Sequence, residues 1–377
     1  MRTQAGKALK VALAAGAGLA RRKVVLALCV ALCTVMLAFP QSDDKATIIT
    51  FDPPGSTFTI AQSINPSGAV AGYYQDASNV QHGFLRAPHG SITTFDAPGA
   101  STGFGEGTVA ESINPAGAIA GVFLDASRVG HGYVRSPDGA FTTFDAPGAG
   151  TGPFQGTSAS GINTAGEIIG FYIDASNIEH GYVRAPDGAF TTFDAPGAGT
   201  GVGQGTFPSS INPAGTVAGS FTTYRDGNYV NHGFLRAADG TFTTFDAPGS
   251  TGTSGSAINP AGAITGGYND VNFVPHGFLR APDGAFTTFD PPDSFGTSPV
   301  SINPAGVITG YYGGADFNTH GFVRAGDGTI TVFDGPGSTG TYPNSVNPAG
   351  TITGHYYDAG FVPHGFLRIA HGAHGDK

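Results

Sequence analysis

The stretch His131-Gly132-Tyr133-Val134-Arg135-Ser136-Pro137-Asp138-Gly139-Ala140-Phe141-Thr142-Thr143-Phe144-Asp145 returns, with small changes, from one end of the chain to the other. Its His-Gly-aromatic-aliphatic-Arg head begins at His82, His131, His180, His232, His276, His320 and His364. Its Thr-Phe-Asp tail, Val-Phe-Asp once, ends at Asp52, Asp96, Asp145, Asp194, Asp246, Asp290 and Asp334. A third marker, a turn asparagine, stands at Asn65, Asn114, Asn163, Asn212, Asn259, Asn303 and Asn347, with spacings of 49, 49, 49, 47, 44 and 44 residues. Self-similarity at a period of about 40–50 residues marks a repeat architecture, in which each unit stacks on its neighbours.

The unit between Asp96 and Asp145 reads as four strands. Thr108–Ile113 is strand a. Asn114-Pro115-Ala116-Gly117 is a type I turn: Asn accepts backbone bonds at the first position, Pro presets φ at the second, and Gly takes the left-handed position. Residues 118–124 form strand b, residues 131–135 strand c and residues 141–145 strand d. Asp138-Gly139 signals a two-residue type I′ hairpin, which would set Tyr133 opposite Phe144. Strands b, c and d carry apolar side chains on both faces: Ile119 and Phe123, Tyr133 and Val134, Phe141 and Phe144. A sheet that is apolar on both faces must lie between two others, so a single unit cannot stand alone.

Four-stranded units of this length are the mark of a propeller. The ends agree: the last repeat stops after its strand c, and residues 48–52 form an orphan strand d. The expected fold is therefore all-β, a seven-bladed β-propeller with four-stranded blades over residues 46–370, its N-terminal strand closing the last blade. The rival is an open β-solenoid or two packed sandwiches. The expected organisation is a signal peptide or anchor in residues 1–41 and a single propeller domain of seven repeats in residues 42–377.

The run Ile113-Asn114-Pro115-Ala116-Gly117-Ala118-Ile119-Ala120-Gly121, followed by His131-Gly132-Tyr133-Val134-Arg135 and Asp138-Gly139, resembles the HAF family of probable extracellular bacterial repeats. The resemblance covers nearly all of the chain after residue 46. It implies an exported or surface protein with propeller-like repeats, and it carries no activity with it. The family's usual Ala or His, Ala-Phe core stands here as His-Gly-Phe/Tyr.

Composition supports a turn-dense β protein: 61 of 377 residues are Gly, placed at fixed turn positions between apolar runs. Residues 46–377 hold ten basic and 25 acidic side chains, about −15 with His neutral. Such a surface argues against nucleic-acid binding, which needs basic patches, and against binding to anionic membrane surfaces. Both cysteines, Cys29 and Cys33, fall in the N-terminal apolar run, so the repeats hold neither a disulfide framework nor a Cys metal site. Arg21-Arg22-Lys23 followed by about 16 apolar residues reads as an export signal, short for a membrane span. Uncleaved, it would be an anchor and the only membrane contact. Leu26-Ala27-Leu28-Cys29 matches a lipoprotein box only weakly. The expected location is secreted or at the cell surface, and a monomer is expected.

Seven histidines at one repeat position look like a metal ring, but strand c lies away from a propeller's axis. Each is expected to bond within its own blade. The repeated Arg (Arg86, Arg135, Arg184, Arg236, Arg280, Arg324, Arg368) and tail Asp are expected to be structural partners, since part-buried charges need pairing. Neither the Gly-rich run at residues 103–107 nor the Asp-rich b–c loops have the context of a phosphate cradle or an EF-hand. No cofactor and no metal is expected. Three residues before each turn Asn stand Gln62, Glu111, Ser160, Ser209, Ser256, Val300 and Asn344, the expected channel wall. Only Glu111 there is ionisable, which argues against an enzyme.

Length changes point to a binding face. The tail Asp lies 18 residues before the turn Asn in three consecutive units and 13 in the others; Asn212 to His232 is 20 where the other units have 17. All the changes fall in d–a or b–c loops, which emerge on one face. That face should carry a lip bearing Phe104, Glu106, Phe154, Gln155, Gln204, Phe207, Tyr224, Arg225, Asp226 and Tyr229. Loops on a rigid scaffold concentrate binding residues. The leading expectation is a binding module whose partner at the lip is a glycan or a protein. The alternatives are a propeller hydrolase or lyase acting near Glu111, and a purely structural surface repeat.

Overall fold

The computed structural model describes residues 46–370, which form 28 β-strands and no helix. None of the described residues therefore forms a helix long and apolar enough to cross a membrane. The expected signal or anchor lies outside the described residues.

Strands a to d of the second unit are Thr108–Ile113, Ile119–Leu124, Gly130–Arg135 and Phe141–Phe144. They pair antiparallel in that order. The same a-b-c-d order runs through residues 58–95, 156–193, 205–245, 252–289 and 294–333, here units 1 and 3 to 6. Unit 7 takes a, b and c from residues 340–370, and its fourth strand is Ala46–Phe51, paired along its whole length with Pro363–Ala370. The orphan strand read from the sequence completes the last repeat.

Each strand a holds a β-bulge, and the residue skipped is the one three before the turn Asn: Gln62, Glu111, Ser160, Ser209, Ser256, Val300 or Asn344. A bulge bends the strand and re-aims one side chain. Between units lie separate apolar clusters built from neighbouring repeats, such as Ile119, Phe123 and Tyr133 of unit 2 packed with Ala69 and Ala71 of unit 1.

The turn asparagines close a circle. Each Oδ1 accepts the backbone N–H four residues on, for example Ala69 to Asn65 at 3.0 Å and Ala118 to Asn114 at 3.0 Å. Each Nδ2 donates to the carbonyl of the next unit's Asn, from Asn65 to Asn114 at 3.3 Å onwards. The last, Asn347, donates back to Asn65 at 3.3 Å. All seven are buried.

Two local expectations are corrected. The c–d hairpin is not a two-residue loop. Arg135 faces Phe141, Tyr133 faces Thr143, and Phe144 faces Gly132. The reason is Asp138: a type I′ turn needs positive φ at both central residues, but only Gly139 has it, and the Asp138 carboxylate accepts Ala140 N at 3.1 Å, an arrangement that recurs where Ala238 or Gly326 replaces the proline. The chain instead makes a Ser136–Gly139 turn with Gly139 left-handed at φ 96°, closed by Ser136 N to Ala140 O at 2.8 Å. The Phe144 ring lies over Gly132, where a Cβ would sit 2.2 Å from it, which is why the head is His-Gly. Nor do the repeated Arg and tail Asp pair with each other. Each guanidinium lies over the tail Phe of the preceding unit, as in Arg135 over Phe95 at 4.9 Å and Arg86 over Phe51 at 5.0 Å. The tail Asp pairs with the head His.

Candidate functional site

The b–c and d–a loops share one face, as expected, and hydrogen bonds tie them together: Gly105 N to Asn79 O at 2.8 Å, Phe154 N to Arg128 O at 2.7 Å. Beneath them every head His is held by its own unit. His131 Nδ1 meets Asp145 at 2.9 Å, its Nε2 lies 3.6 Å from Asp125, and its ring stacks on Phe123 at 5.1 Å. The other six repeat the bond to the tail Asp. Most of the loop aspartates also cap their loops. Asp125 Oδ1 accepts Ser127 N and Val129 N, and such bonds hold its carboxyl below the usual range.

The lip residues divide by burial. Phe104, Phe154, Tyr224 and Tyr229 are exposed. Tyr224 and Tyr229 pair edge to face at 5.1 Å, and Tyr229 Oη donates to Val202 O at 3.2 Å. Arg225 and Asp226 stand fully in solvent at the hairpin tip, 3.9 Å apart. Glu106 is different: it is buried, accepts from Ser101 and pairs with Arg128 at 2.7 Å, and these two hold its carboxyl below the usual range. Gln155 and Gln204 fold back on their own loops; Gln155 accepts from Gly152 N and donates to Asn177. Phe207 lies inward, edge to face with Phe171 at 5.6 Å. These four hold the lip's shape and leave the contact surface to the exposed aromatics.

The sequence reading missed half of that surface. Phe273, Phe317 and Phe361, each three residues before a head His, are 73%, 90% and 75% exposed. All three have left-handed backbone, φ 60–65°. A bulky residue there is an outlier that costs on the order of 1–3 kcal/mol. Units 1 to 3 place Asn79, Arg128 and Asn177 at the same offset, so the signal was a single substitution repeated in three consecutive units.

Glu111 lies in a polar chain that crosses three units. Gln62 Nε2 donates to Glu111 Oε2 at 3.0 Å, and Asn344 Nδ2 donates to Gln62 Oε1 at 3.3 Å and lies 3.4 Å from His355 Nδ1. Burial pushes Glu111 up to about 7 and His355 down to about 4. Burial, with Glu111 nearby, also pushes Tyr73 up to about 12. With the folded pKa of Glu111 above the unfolded value, folding takes up a proton between them, so stability falls from about pH 4.5 to about 7. His355, depressed, has the opposite slope as pH drops below 6.5. The difference between Glu111→Gln and the parent isolates the first. The variant should match the parent near pH 4.5 and exceed it at pH 8 by on the order of 3 kcal/mol, read from urea midpoints.

A cleft of about 560 Å³ opens on the loop face between units 4, 5 and 6. Its cause is local. At four joints strand c of one unit bridges to the start of strand a in the next: Gln81 with Gly107, Gly130 with Gly156, Glu179 with Gly205 and Thr319 with Gly340. Among the described residues the joint from unit 7 to unit 1 lacks the bridge, and so do both joints of unit 5. No strand of unit 5 pairs with another unit among the described residues. At the 5/6 joint the bridging position is Pro275, which has no N–H to give.

No protein-family model matches the chain, and no curated protein matches it in sequence. Solved structures match in shape. YCF48, solved with D1 peptide bound, aligns with a TM-score of 0.53 and 12% identity over 90% of this chain and 99% of its own. The BP39L lectin from Burkholderia pseudomallei aligns at 0.51 and 9% identity, over 90% and 98%. The acylaminoacyl peptidase of Pyrococcus horikoshii aligns at 0.52 and 12% identity, over 85% of this chain but 53% of the peptidase, so this chain spans about half of that enzyme. The fold is all-β and propeller-like. Identities this low carry the fold alone.

Proposed function

We propose that the seven units are the blades of a closed seven-bladed propeller of the HAF type, exported to the cell surface or beyond, which binds a glycan or protein partner through its loop face. One observation carries this reading. Nearly every large exposed apolar side chain of the described residues, Phe104 and Tyr229 to Phe317 and Phe361, stands on loops of that one face. Exposed apolar groups gathered on a rigid scaffold mark interaction sites. The asparagine circle supports closure. The lectin and the peptide-bound YCF48 show that the same fold carries both kinds of ligand.

The test is a glycan-array screen of the full chain, run beside pull-down from bacterial surface extract. Phe154→Ala and Tyr229→Ala should each weaken whatever binds by about tenfold, with unchanged thermal melting. Binding that neither variant alters would overturn the reading. A hydrolase or lyase centred on Glu111 is the second reading, favoured by a carboxyl held near pH 7 within a bonded polar chain. It predicts turnover that Glu111→Gln abolishes.

A further inference from the structure

Strands a and b face each other at one inner pair in every unit. Those pairs are Ile60 with Tyr73, Val109 with Val122, Ser158 with Phe171, Phe207 with Ser220, Ser254 with Gly267, Ser298 with Tyr311, and Tyr342 with His355. Six contain at least one large side chain. Five of these carry an aromatic ring and unit 2 two valines; unit 5 alone has Ser and Gly, so the space that side chains fill elsewhere is empty there. With both joints of unit 5 unbridged, that space opens to the loop face as the 560 Å³ cleft. This volume is in the range of small-ligand sites, roughly 300–1,000 Å³.

The lining gives the ligand's chemistry. The cleft is lined by hydroxyl and amide groups: Ser209, Ser220, Ser254, Ser256 and Asn269. The rings of Tyr229, Phe273 and Tyr311 stand around it. No carboxylate, ammonium, guanidinium or imidazole lines it among the described residues, although the rest of this face is crowded with Asp and His. A charged ligand would find no partner there. A molecule with many neutral hydroxyls and apolar C–H faces would find hydrogen-bond partners for the first and aromatic faces for the second. The geometry points to the unit 5 cleft as a binding site for a neutral saccharide. This rests on the loop face being the binding face, and it names the position and the ligand class.

Gly267 makes the inference testable. A Cβ at this position meets nothing nearer than 3.7 Å, and its backbone is not left-handed. Tyr73 and Tyr311 occupy the same place in units 1 and 6, so Gly267→Tyr fills the cleft with a residue the fold already accepts. The probes are maltotriose, cellotriose and chitotriose, with sialyllactose as the charged comparator. The full chain is titrated by calorimetry and by tyrosine fluorescence, which no Trp obscures. At least one neutral trisaccharide should bind in preference to sialyllactose, and Gly267→Tyr should weaken it by about tenfold or more. Asn269→Ala, an exposed change that leaves the fold alone, should weaken it too.

Saccharide binding kept by both variants but lost in Phe154→Ala would overturn the cleft and leave the loop-face reading standing. A parent chain that binds no neutral trisaccharide overturns the saccharide assignment. If nothing from the array or the extract binds either, the loop-face reading falls with it.

Discussion

A chain that begins at residue 53 is expected to lose its cooperative melting transition, while one that begins at residue 46 keeps it. The six residues Ala46–Phe51 pair with the last strand across the only joint between the two ends of the described chain. Phe51 is buried edge to face against Phe84 at 6.0 Å, under the Arg86 guanidinium. Asp52 holds His364 at 2.7 Å, and Thr50 bonds Tyr356 at 3.0 Å. Ile48 packs on the Phe333 and Phe366 cluster. Truncating a buried Phe costs about 3–5 kcal/mol, against a typical domain stability of about 5–15 kcal/mol. Removing the strand also leaves Pro363–Ala370 with an unpaired edge that invites pairing with another molecule. Calorimetry and gel filtration decide it: a broad transition with aggregation is expected, and a midpoint within about 2 °C of the longer chain would refute the closure. Phe51→Ala should give the aromatic share alone, about 3–5 kcal/mol by urea unfolding.

The second large effect is expected at the asparagine circle. Asn303→Ala removes an oxygen that accepts Ala305 N and Val307 N, and an amide that donates to Asn347 O at 3.1 Å. The site is buried, so these partners find no water in exchange. Each buried polar group left unpaired costs about 1–3 kcal/mol, and a total of about 4 kcal/mol is expected. Asn303→Asp separates the two roles. It keeps the acceptor for the turn but sets a carboxylate against the Asn347 carbonyl, so it should be at least as damaging as Ala. If Asp were tolerated, the turn alone would matter and the circle would contribute nothing.

Much of the architecture was legible because the repeat is written in residues with strong local preferences. Asn-Pro-Ala-Gly admits one turn type, and the alternating apolar runs between such turns admit only strands. Strand bounds from pattern alone agree with the structure to within about one residue in unit 2. The orphan Thr50-Phe51-Asp52 announced its own partner. The hairpin register differs from the sequence reading because a type I′ turn needs Asp138 and Gly139 both left-handed, whereas Asp138 uses its carboxylate to cap the turn and only Gly139 is left-handed. The pairing of Arg was misread because charge was matched to charge, when the guanidinium stacks on a ring from another unit. That contact is not local in sequence.

The binding face was only half legible. Loop-length differences are visible in a string of letters, and they led to Phe154 and Tyr229. Glu106, Gln155 and Gln204 have the same lengthened loops but turn inward, and nothing in their spacing says so. The unit 5 cleft is a space left by small residues. Gly267 and Ser254 look unremarkable until the strand register sets them opposite one another and beside Pro275.

The asparagine bonds all run one way. Every unit offers the same carbonyl to the unit before it and the same amide to the unit after it. No unit has a special end, and the two ends of the described residues meet inside unit 7 rather than between units. A gene that gains or loses one whole repeat therefore keeps every connector matched. The circle does not count its own members: the copy number of the repeat, and the wedge between neighbouring sheets, set how large it is. A family growing by tandem duplication could change its diameter without inventing a new contact, while single units drift in their loops to make new sites.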